Sequence, residues 1–199
     1  MIKFEIMKTW YSILILILTS FDITMAQNDL PYRKIPEPPN NYTAGSVAGR
    51  MVDGLGFRYF WATEGLRVQD LQFQPGEEAR TSAQTIDHIL GLSGMIRNTV
   101  IKQSASNKPS TFIEKRRQTL ENLSEVSKVL KNSTDADLEK FGIVGSSYSL
   151  PFWNLINGPI SDALWHVGQL VSFRRSSGNP FSSRVSVMKG KLRDWCSSN

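Results

Sequence analysis

In four segments of the chain, apolar residues recur three to four positions apart, the spacing that places them on one face of an α-helix. We predict main helices at about 43–64, 81–100, 111–130 and 158–175. Two of them open with a capping box, formed by Thr81 with Gln84 and by Thr111 with Glu114. No stretch alternates apolar and polar residues convincingly enough to predict a β-strand. The pattern therefore predicts an all-α fold, a four-helix bundle with long connectors.

The approach to the fourth helix carries the signals of a connector and a kink. Residues 132–150 are predicted as a connector with one short turn of helix at 134–140. Pro151 allows an early half-turn of helix, because proline is accepted in the first turn. Gly158-Pro159 then predicts a kink, since a proline inside a helix removes a backbone hydrogen bond.

The chain is long enough for one domain with a full core, and the sequence divides into three parts. A domain is predicted from 43 to 199, preceded by a proline-rich linker at 27–42 that is expected to be extended. From residue 179 onward the chain becomes polar and carries one modest apolar set, so this tail is expected to wrap the bundle. The set is Val185, Val187, Met188, Leu192 and Trp195.

Residues 1–26 have the layout of a secretory signal peptide. Lys3 and Lys8 precede an apolar run at 13–18, and a small-residue cleavage site ends at Ala26. The run is too short to span a bilayer, so no stable membrane span is expected after cleavage. We therefore predict a secreted or periplasmic protein, with Met7 as an alternative start. An uncleaved anchor and a buried apolar helix are the alternatives to the signal peptide.

The charge argues against a nucleic-acid partner, and the cysteine content argues against an internal disulfide. The net charge of +5 is modest, and its Lys and Arg residues are dispersed rather than clustered in a stripe, so no nucleic-acid partner is expected. A single cysteine, Cys196, cannot form an internal disulfide, so the fold depends on its core alone. Bundles of this kind often pair through a helix face, so a homodimer is an expected assembly.

The fourth helix places polar side chains where a bundle helix normally carries hydrocarbon. His166 shares a helical stripe with Leu170 and Phe173, and Asp162 lies one turn earlier on the same face. On the second helix, His88 lies in line with Leu92 and other apolar residues. These are the only histidines in the sequence, and both are predicted on inward faces.

Together, His88, Asp162 and His166 can present two imidazoles and one carboxylate to one point, a ligand set used for divalent first-row metals. The same spacing is compatible with simpler arrangements that hold no metal. Asp162 is favoured in a first helical turn by the helix dipole alone, Asp162 and His166 can form a simple ion pair, and either histidine can be a hydrogen-bonded core residue. No Ser-His-Asp, Cys-His or paired-carboxylate set offers a competing catalytic mechanism.

Two groups of motifs in this sequence resemble the DinB/YfiT-like superfamily. On the fourth helix the resemblance lies in WHVGQL at 165–170, SFRR at 172–175 and GNP at 178–180. On the second helix it lies in RTSAQTIDHI at 80–89, preceded by FQPG at 73–76. The order of the two groups also matches that superfamily.

The resemblance, which covers roughly 44–180, implies a four-helix bundle with a long crossover and a divalent metal bound by three histidines at one end. His88 stands at the position of the ligand on the second helix, and His166 at the second histidine of the pair on the last helix. Asp162 stands where the first histidine of that pair is expected. This substitution alters the expected metal preference and is compatible with nickel, iron, manganese or zinc.

Two functions follow as hypotheses. The first is a metal-dependent hydrolase or transferase acting on a small-molecule substrate. The second is a binding or structural bundle without chemistry, in which Trp61, Trp153 and Trp165 pack as core or line a small apolar pocket. An enzyme predicts an open cavity at the polar trio, whereas a structural network predicts filled volume around it.

Overall fold

The computed structural model describes residues 30–103 and 108–194, and in these residues the chain is mostly helical. The chain from Pro31 onward forms one compact unit. The predicted signal peptide, its cleavage near Ala26, and Trp195 and Cys196 lie outside the described residues.

The elements follow one another in the order α1 (Ala44–Thr63), α2 (Val68–Gln72), α3 (Ser82–Ile101), α4 (Phe112–Lys131), α5 (Asp135–Leu138), β1 (Ile143–Val144), β2 (Ser149–Leu150), α6 (Phe152–Leu155), a π-helical turn (Ile156–Ile160), α7 (Ser161–Ser176), β3 (Val185–Ser186) and β4 (Lys191–Leu192). Each predicted main helix is present, and the ends of the first three lie within one residue of the prediction. In the described residues no helix is long and apolar enough to cross a membrane.

Local capping explains why the helices begin where they do. The hydroxyl of Thr81 accepts a hydrogen bond from the backbone N–H of Gln84 at 3.1 Å, and the Gln84 side chain accepts from the Thr81 N–H at 2.9 Å. Thr111 and Glu114 form the same pair at the start of α4. Both capping boxes predicted from the sequence are confirmed.

The four longer helices pack so that each contacts two others. Helix α1 packs against α4 and α7, and α3 packs against the same two helices. Glycine allows the close approach of α1 and α4, since a Cβ at Gly45 would meet backbone oxygens of Leu130 and Ser133. The fully buried side chains between these helices include Leu55, Phe57, Tyr59, Phe60, Ile86, Ile89, Ile96, Leu120, Leu123, Leu130 and Leu170.

The predicted kink before α7 is present at Gly158-Pro159. Gly158 has a non-helical backbone (φ −88°, ψ −105°) inside the π-helical turn that separates α6 from α7. Proline has no backbone N–H to donate, so the regular helical ladder is broken at this point. Helix α7 therefore starts afresh at Ser161 and carries Asp162 in its first turn.

Three features differ from the sequence expectation or refine it. The expected absence of strands is wrong, because the described residues contain two antiparallel ladders, β1–β2 and β3–β4, each only two residues long per strand. Strands this short are too brief to show alternation. Helix α2 lies between the first two predicted main helices, in a segment for which no helix was predicted. The short turn of helix predicted at 134–140 is confirmed by α5.

The described part of the proline-rich segment before α1, residues 30–42, contains a turn at 31–32 but no helix or strand, and part of it is packed against the domain. Tyr32 and Ile35 are buried, with 4% and 9% of their surfaces exposed. The Tyr32 hydroxyl donates to Asp53 Oδ1 on α1 at 3.3 Å, and the backbone N–H of Ile35 donates to Gly190 O at 2.8 Å. These two apolar side chains therefore hold the segment against the domain, although the prolines keep it out of a helix.

Candidate metal centre

Two helices that pack together bring the three sequence-predicted ligands to one place. His88 lies in the second turn of α3, where its neighbours Ile86 and Ile89 are buried and fix the orientation of the helix. Asp162 and His166 lie one turn apart near the start of α7. Because α3 packs against α7, the side chain from α3 reaches the pair on α7.

The Asp162 carboxylate lies between the two imidazoles. Its Oδ2 is 3.2 Å from His88 Nε2, and its Oδ1 is 3.3 Å from His166 Nε2. The two imidazole rings meet edge to face, with centroids 4.5 Å apart and planes at 89°. One potential donor atom from each residue lies within 4.8 Å of the other two. The structure therefore groups all three predicted ligands.

The distances are compatible with one divalent ion. Zinc and similar metals bind nitrogen and oxygen at roughly 2.0–2.2 Å, which places two tetrahedral ligand atoms about 3.4 Å apart. The distances from Asp162 to His88 and to His166, 3.2 and 3.3 Å, are close to this separation. The same distances are also long hydrogen bonds, so distance alone does not distinguish a metal from a proton.

The contact of Gln169 with His166 bears on which imidazole nitrogen carries the proton. Its Oε1 lies 2.8 Å from His166 Nδ1, one turn further along α7. An amide oxygen only accepts, so Nδ1 carries the proton in this arrangement. In neutral His166 the other nitrogen, Nε2, then carries a lone pair, and it faces a carboxylate oxygen of Asp162, which is also an acceptor. In this tautomer a cation between the two acceptors, either a proton on Nε2 or a metal ion, removes their repulsion; in the other tautomer Nε2 itself donates to Asp162.

The site is partly open to solvent. The side chains of His88 and Asp162 are 33% and 40% exposed, and that of His166 is 13% exposed. The sequence placed both histidines on inward faces, and this holds better for His166 than for His88. An accessible edge on the ligand set is what a substrate or water needs to reach a bound ion.

The acidic residue next to His88 on α3 is not part of the trio. Asp87, the residue before His88, is paired with Lys115 Nζ on α4 at 2.6 Å. That pair points away from the trio, since successive helical residues point about 100° apart. The carboxylate of Asp162 is therefore the acidic group that the two imidazoles share in the described residues.

Sequence reasoning assigned no role to Gln169, although the residue was part of the motif on the fourth helix. The signal was its spacing: residues i and i+3 on a helix are neighbours, so Gln169 is placed to contact His166. Hydrogen bonding of the nitrogen that does not ligate is how proteins orient metal-binding histidines.

The tryptophans do not pack as one group. Trp61 is buried, with 7% of its surface exposed, but Trp153 and Trp165 are 72% and 73% exposed. The prediction that Trp153 and Trp165 are core residues is therefore wrong. Trp165 lies three residues after Asp162 on α7, and its indole is exposed.

Comparison of the chain with protein-family models, with curated proteins and with solved structures finds no match. The resemblance to the DinB/YfiT-like superfamily therefore stays a prediction that rests on the short motifs of α3 and α7 alone. What can be argued about function comes from the geometry of the site.

Proposed function

We propose that this chain is a four-helix bundle of the DinB/YfiT-like type that binds one divalent metal ion through His88, Asp162 and His166. The observation that carries the proposal is the grouping of His88, Asp162 and His166, whose potential ligand atoms all lie within 4.8 Å of one another. The hydrogen bond from His166 Nδ1 to Gln169 leaves Nε2 without a proton in the neutral ring, 3.3 Å from Asp162 Oδ1. A cation bridging these atoms removes the repulsion between them.

The donor set limits which metals suit the site. Two imidazole nitrogens and one carboxylate oxygen favour nickel, zinc, iron or manganese over the hard cations calcium and magnesium, which prefer oxygen alone. Three protein ligands also leave coordination positions free for water or substrate, as in catalytic rather than structural sites.

The reaction class that fits is metal-dependent hydrolysis or group transfer on a small molecule. When bound, the ion supplies Lewis acidity that polarises a substrate and lowers the pKa of a coordinated water or thiol. The residues of the chain have separate parts in this scheme. His88 and Asp162 lie on the exposed side of the centre, where a substrate can approach, while Gln169 fixes the ring of His166 from within α7.

One alternative function is supported by the same distances. If the cation between Asp162 and His166 is a proton, the trio is an ion-paired network that ties α3 to α7, and the chain is a binding or structural bundle without chemistry. The two functions differ in one measurable quantity, the metal content.

The test is elemental analysis of the chain purified without chelators or metal-affinity resin, followed by calorimetric titration with Ni²⁺, Zn²⁺, Fe²⁺ and Mn²⁺. We expect close to one ion per chain, lost in His88→Ala, His166→Ala and Asp162→Ala. Asp135→Ala is the matched control, because Asp135 is also in the first turn of a helix and is exposed, but lies away from the trio.

Affinity for the metal is expected to fall as the pH is lowered, since imidazole binds metals only when it is neutral. Gln169→Ala should weaken binding by about 10- to 100-fold, the usual effect of removing the group that orients a ligating histidine. A chain that stays free of metal in all four titrations would rule out the metal centre. Equal binding by wild type and His166→Ala would also rule it out, because the metal would then be held elsewhere.

A further inference from the structure

A cavity of about 440 Å³ lies between α1 and α7, on the side of α7 away from the metal centre. Its α7 wall includes Leu164, Val167 and Val171. At about 100° per residue these positions point roughly opposite to Asp162 and His166. The segment that contains β3 closes the cavity through Phe181 and Val185. The cavity and the metal centre are therefore separate sites on two faces of one helix.

The walls of this cavity are mainly apolar. Phe57 and Trp61 on α1 and Val167 on α7 are buried side chains, with 0%, 7% and 2% of their surfaces exposed. The volume lies within the range of about 300–1,000 Å³ that is typical of small-molecule sites. Most of a bound molecule must therefore be hydrocarbon.

Two arginines border the cavity without an acidic partner. Arg58 Nη1 donates to Gly54 O within its own helix at 3.0 Å, and the Arg175 guanidinium lies 5.8 Å from the centre of the Phe181 ring. Neither side chain forms an ion pair with a carboxylate in the described residues. Two cations beside apolar walls favour a ligand that carries one negative charge and an apolar body.

Trp61 supplies a third observation. Its indole N–H is buried and has no hydrogen-bond partner in the described residues. An unpaired buried donor is unfavourable because it has lost its hydrogen bond to water, so native structures rarely leave one unsatisfied. Trp61 forms part of the cavity wall. An oxygen acceptor bound at this wall is a partner that the protein itself does not provide.

A second cavity of about 600 Å³ continues the first. The two share Arg58, Leu164 and Val187 in their linings. The second cavity also contains Met51 and Met188, which are 45% and 95% exposed. Exposed apolar side chains next to an apolar cavity extend the surface on which a hydrocarbon chain can lie.

From these contacts we infer that the cavity between α1 and α7 binds a single-chain amphiphile with a carboxylate headgroup, of the size of a medium-chain fatty acid. The carboxylate pairs with Arg58 and Arg175 and accepts from the indole N–H of Trp61, and the hydrocarbon lies along Phe57 and Val167. This inference does not depend on the metal centre.

The test is calorimetric titration of the full chain with decanoate, compared with decanol and decyltrimethylammonium at concentrations below micelle formation. We expect decanoate to bind at least 10-fold more tightly than either analogue. In Arg58→Gln/Arg175→Gln the decanoate affinity should fall at least 10-fold, while the affinity for decanol stays unchanged, because only the charged headgroup needs the arginines.

Gly168 offers a way to fill the cavity without distorting the helix. It forms part of the lining, and a Cβ placed there would meet no atom within 4 Å. Gly168→Leu should therefore abolish decanoate binding and keep a melting temperature at or above that of wild type, since Gly is a poor residue inside a helix. Gly94→Leu is the matched control, because Gly94 is also helical with open space around it but lies outside this cavity.

Three results would overturn the inference: no binding of decanoate, equal binding of the three amphiphiles, or unchanged binding in Gly168→Leu. Metal content serves as an independent measurement. The same variants should retain the metal content of wild type, so a loss of decanoate binding cannot be confused with a failure of the metal centre.

Discussion

Replacing Asp70 by Asn removes the charge from a buried carboxylate on α2 that joins the start of α2 to the end of α7. Asp70 is 1% exposed and accepts from Arg67, Ser177 and Asn179. Arg67 donates through its guanidinium at 2.8 and 2.9 Å and through its backbone N–H at 2.8 Å. The Ser177 hydroxyl donates at 2.7 Å and the Asn179 amide at 2.6 Å.

We expect Asp70→Asn to lower the free energy of unfolding by about 3 kcal/mol at pH 7. Breaking a buried ion pair costs roughly 3–5 kcal/mol, and the lower end applies because the Arg67 side chain is 45% exposed and regains hydration. The substitution also replaces one carboxylate oxygen, an acceptor, by an amide NH2 group, which donates. That donor then faces groups that themselves donate.

The loss of stability caused by Asp70→Asn should become smaller as the pH is lowered. Hydrogen bonds from Arg67, followed by those from Ser177 and Asn179, hold the pKa of Asp70 far below its usual range. A carboxylate with a lowered pKa in the folded state contributes stability above its unfolded pKa of about 3.9. Below that pH the contribution decreases by about 1.4 kcal/mol per pH unit. The difference between wild type and Asp70→Asn should therefore shrink between pH 4 and pH 2.

The assay is urea denaturation of both proteins at pH 7, 5, 3.5 and 2.5. The matched control is Asp137→Asn: Asp137 occupies the same third position of a short helix, but its side chain is 41% exposed. The Lys140 ammonium and the Thr134 cap lower the pKa of Asp137 to about 2. We expect a much smaller loss of stability in this variant, because water replaces the lost contacts. Equal losses in both variants, or a difference between wild type and Asp70→Asn that is as large at pH 2.5 as at pH 7, would contradict the reasoning.

Two further predictions concern the packing of α1 against α4 and α7. Gly45→Ala should destabilise the fold by about 1–3 kcal/mol, because the new Cβ meets backbone oxygens at the end of α4. Gly94→Ala should stabilise it by about 0.5–1 kcal/mol, since the space around Gly94 is open, and thermal melts of the two variants check both expectations. Arg174→Met should cost about 3 kcal/mol in urea denaturation, because Arg174 Nη1 donates to three carbonyls at the end of α1, at 2.9, 3.0 and 3.1 Å. A variant of Arg174 as stable as wild type would show that water satisfies those carbonyls.

The sequence predicted well those features that local chemistry controls. Thr81 and Thr111 start their helices through contacts with residues three positions away, and the kink at Gly158-Pro159 follows from the backbone of proline itself. The pair of Asp162 and His166 is also local, because residues four apart on a helix are neighbours. Such contacts hold whatever the rest of the chain does.

Other features depend on contacts between distant parts of the chain, and the sequence did not indicate them. Tyr32 is buried because Asp53 on α1 accepts from its hydroxyl, and nothing near Tyr32 in the sequence indicates that partner. Trp153 and Trp165 are exposed although tryptophan is commonly buried, since burial depends on which faces of α6 and α7 the rest of the chain covers. His88 lies between these cases: its helix was predictable, and its meeting with Asp162 depended on which helices pack together.

Helix α7 is constrained differently at its two ends, and this separates stability from function. At its N-terminal end the kink and the trio of His88, Asp162 and His166 determine how the helix meets α3. At its C-terminal end Arg174 fixes the helix to α1, and Ser177 and Asn179 donate to Asp70 on α2. The helix is about 24 Å long, so charges at one end act weakly on the other through solvent. Changes at Asp70 should therefore alter stability and leave metal content unchanged, whereas changes at the trio should lower the metal content.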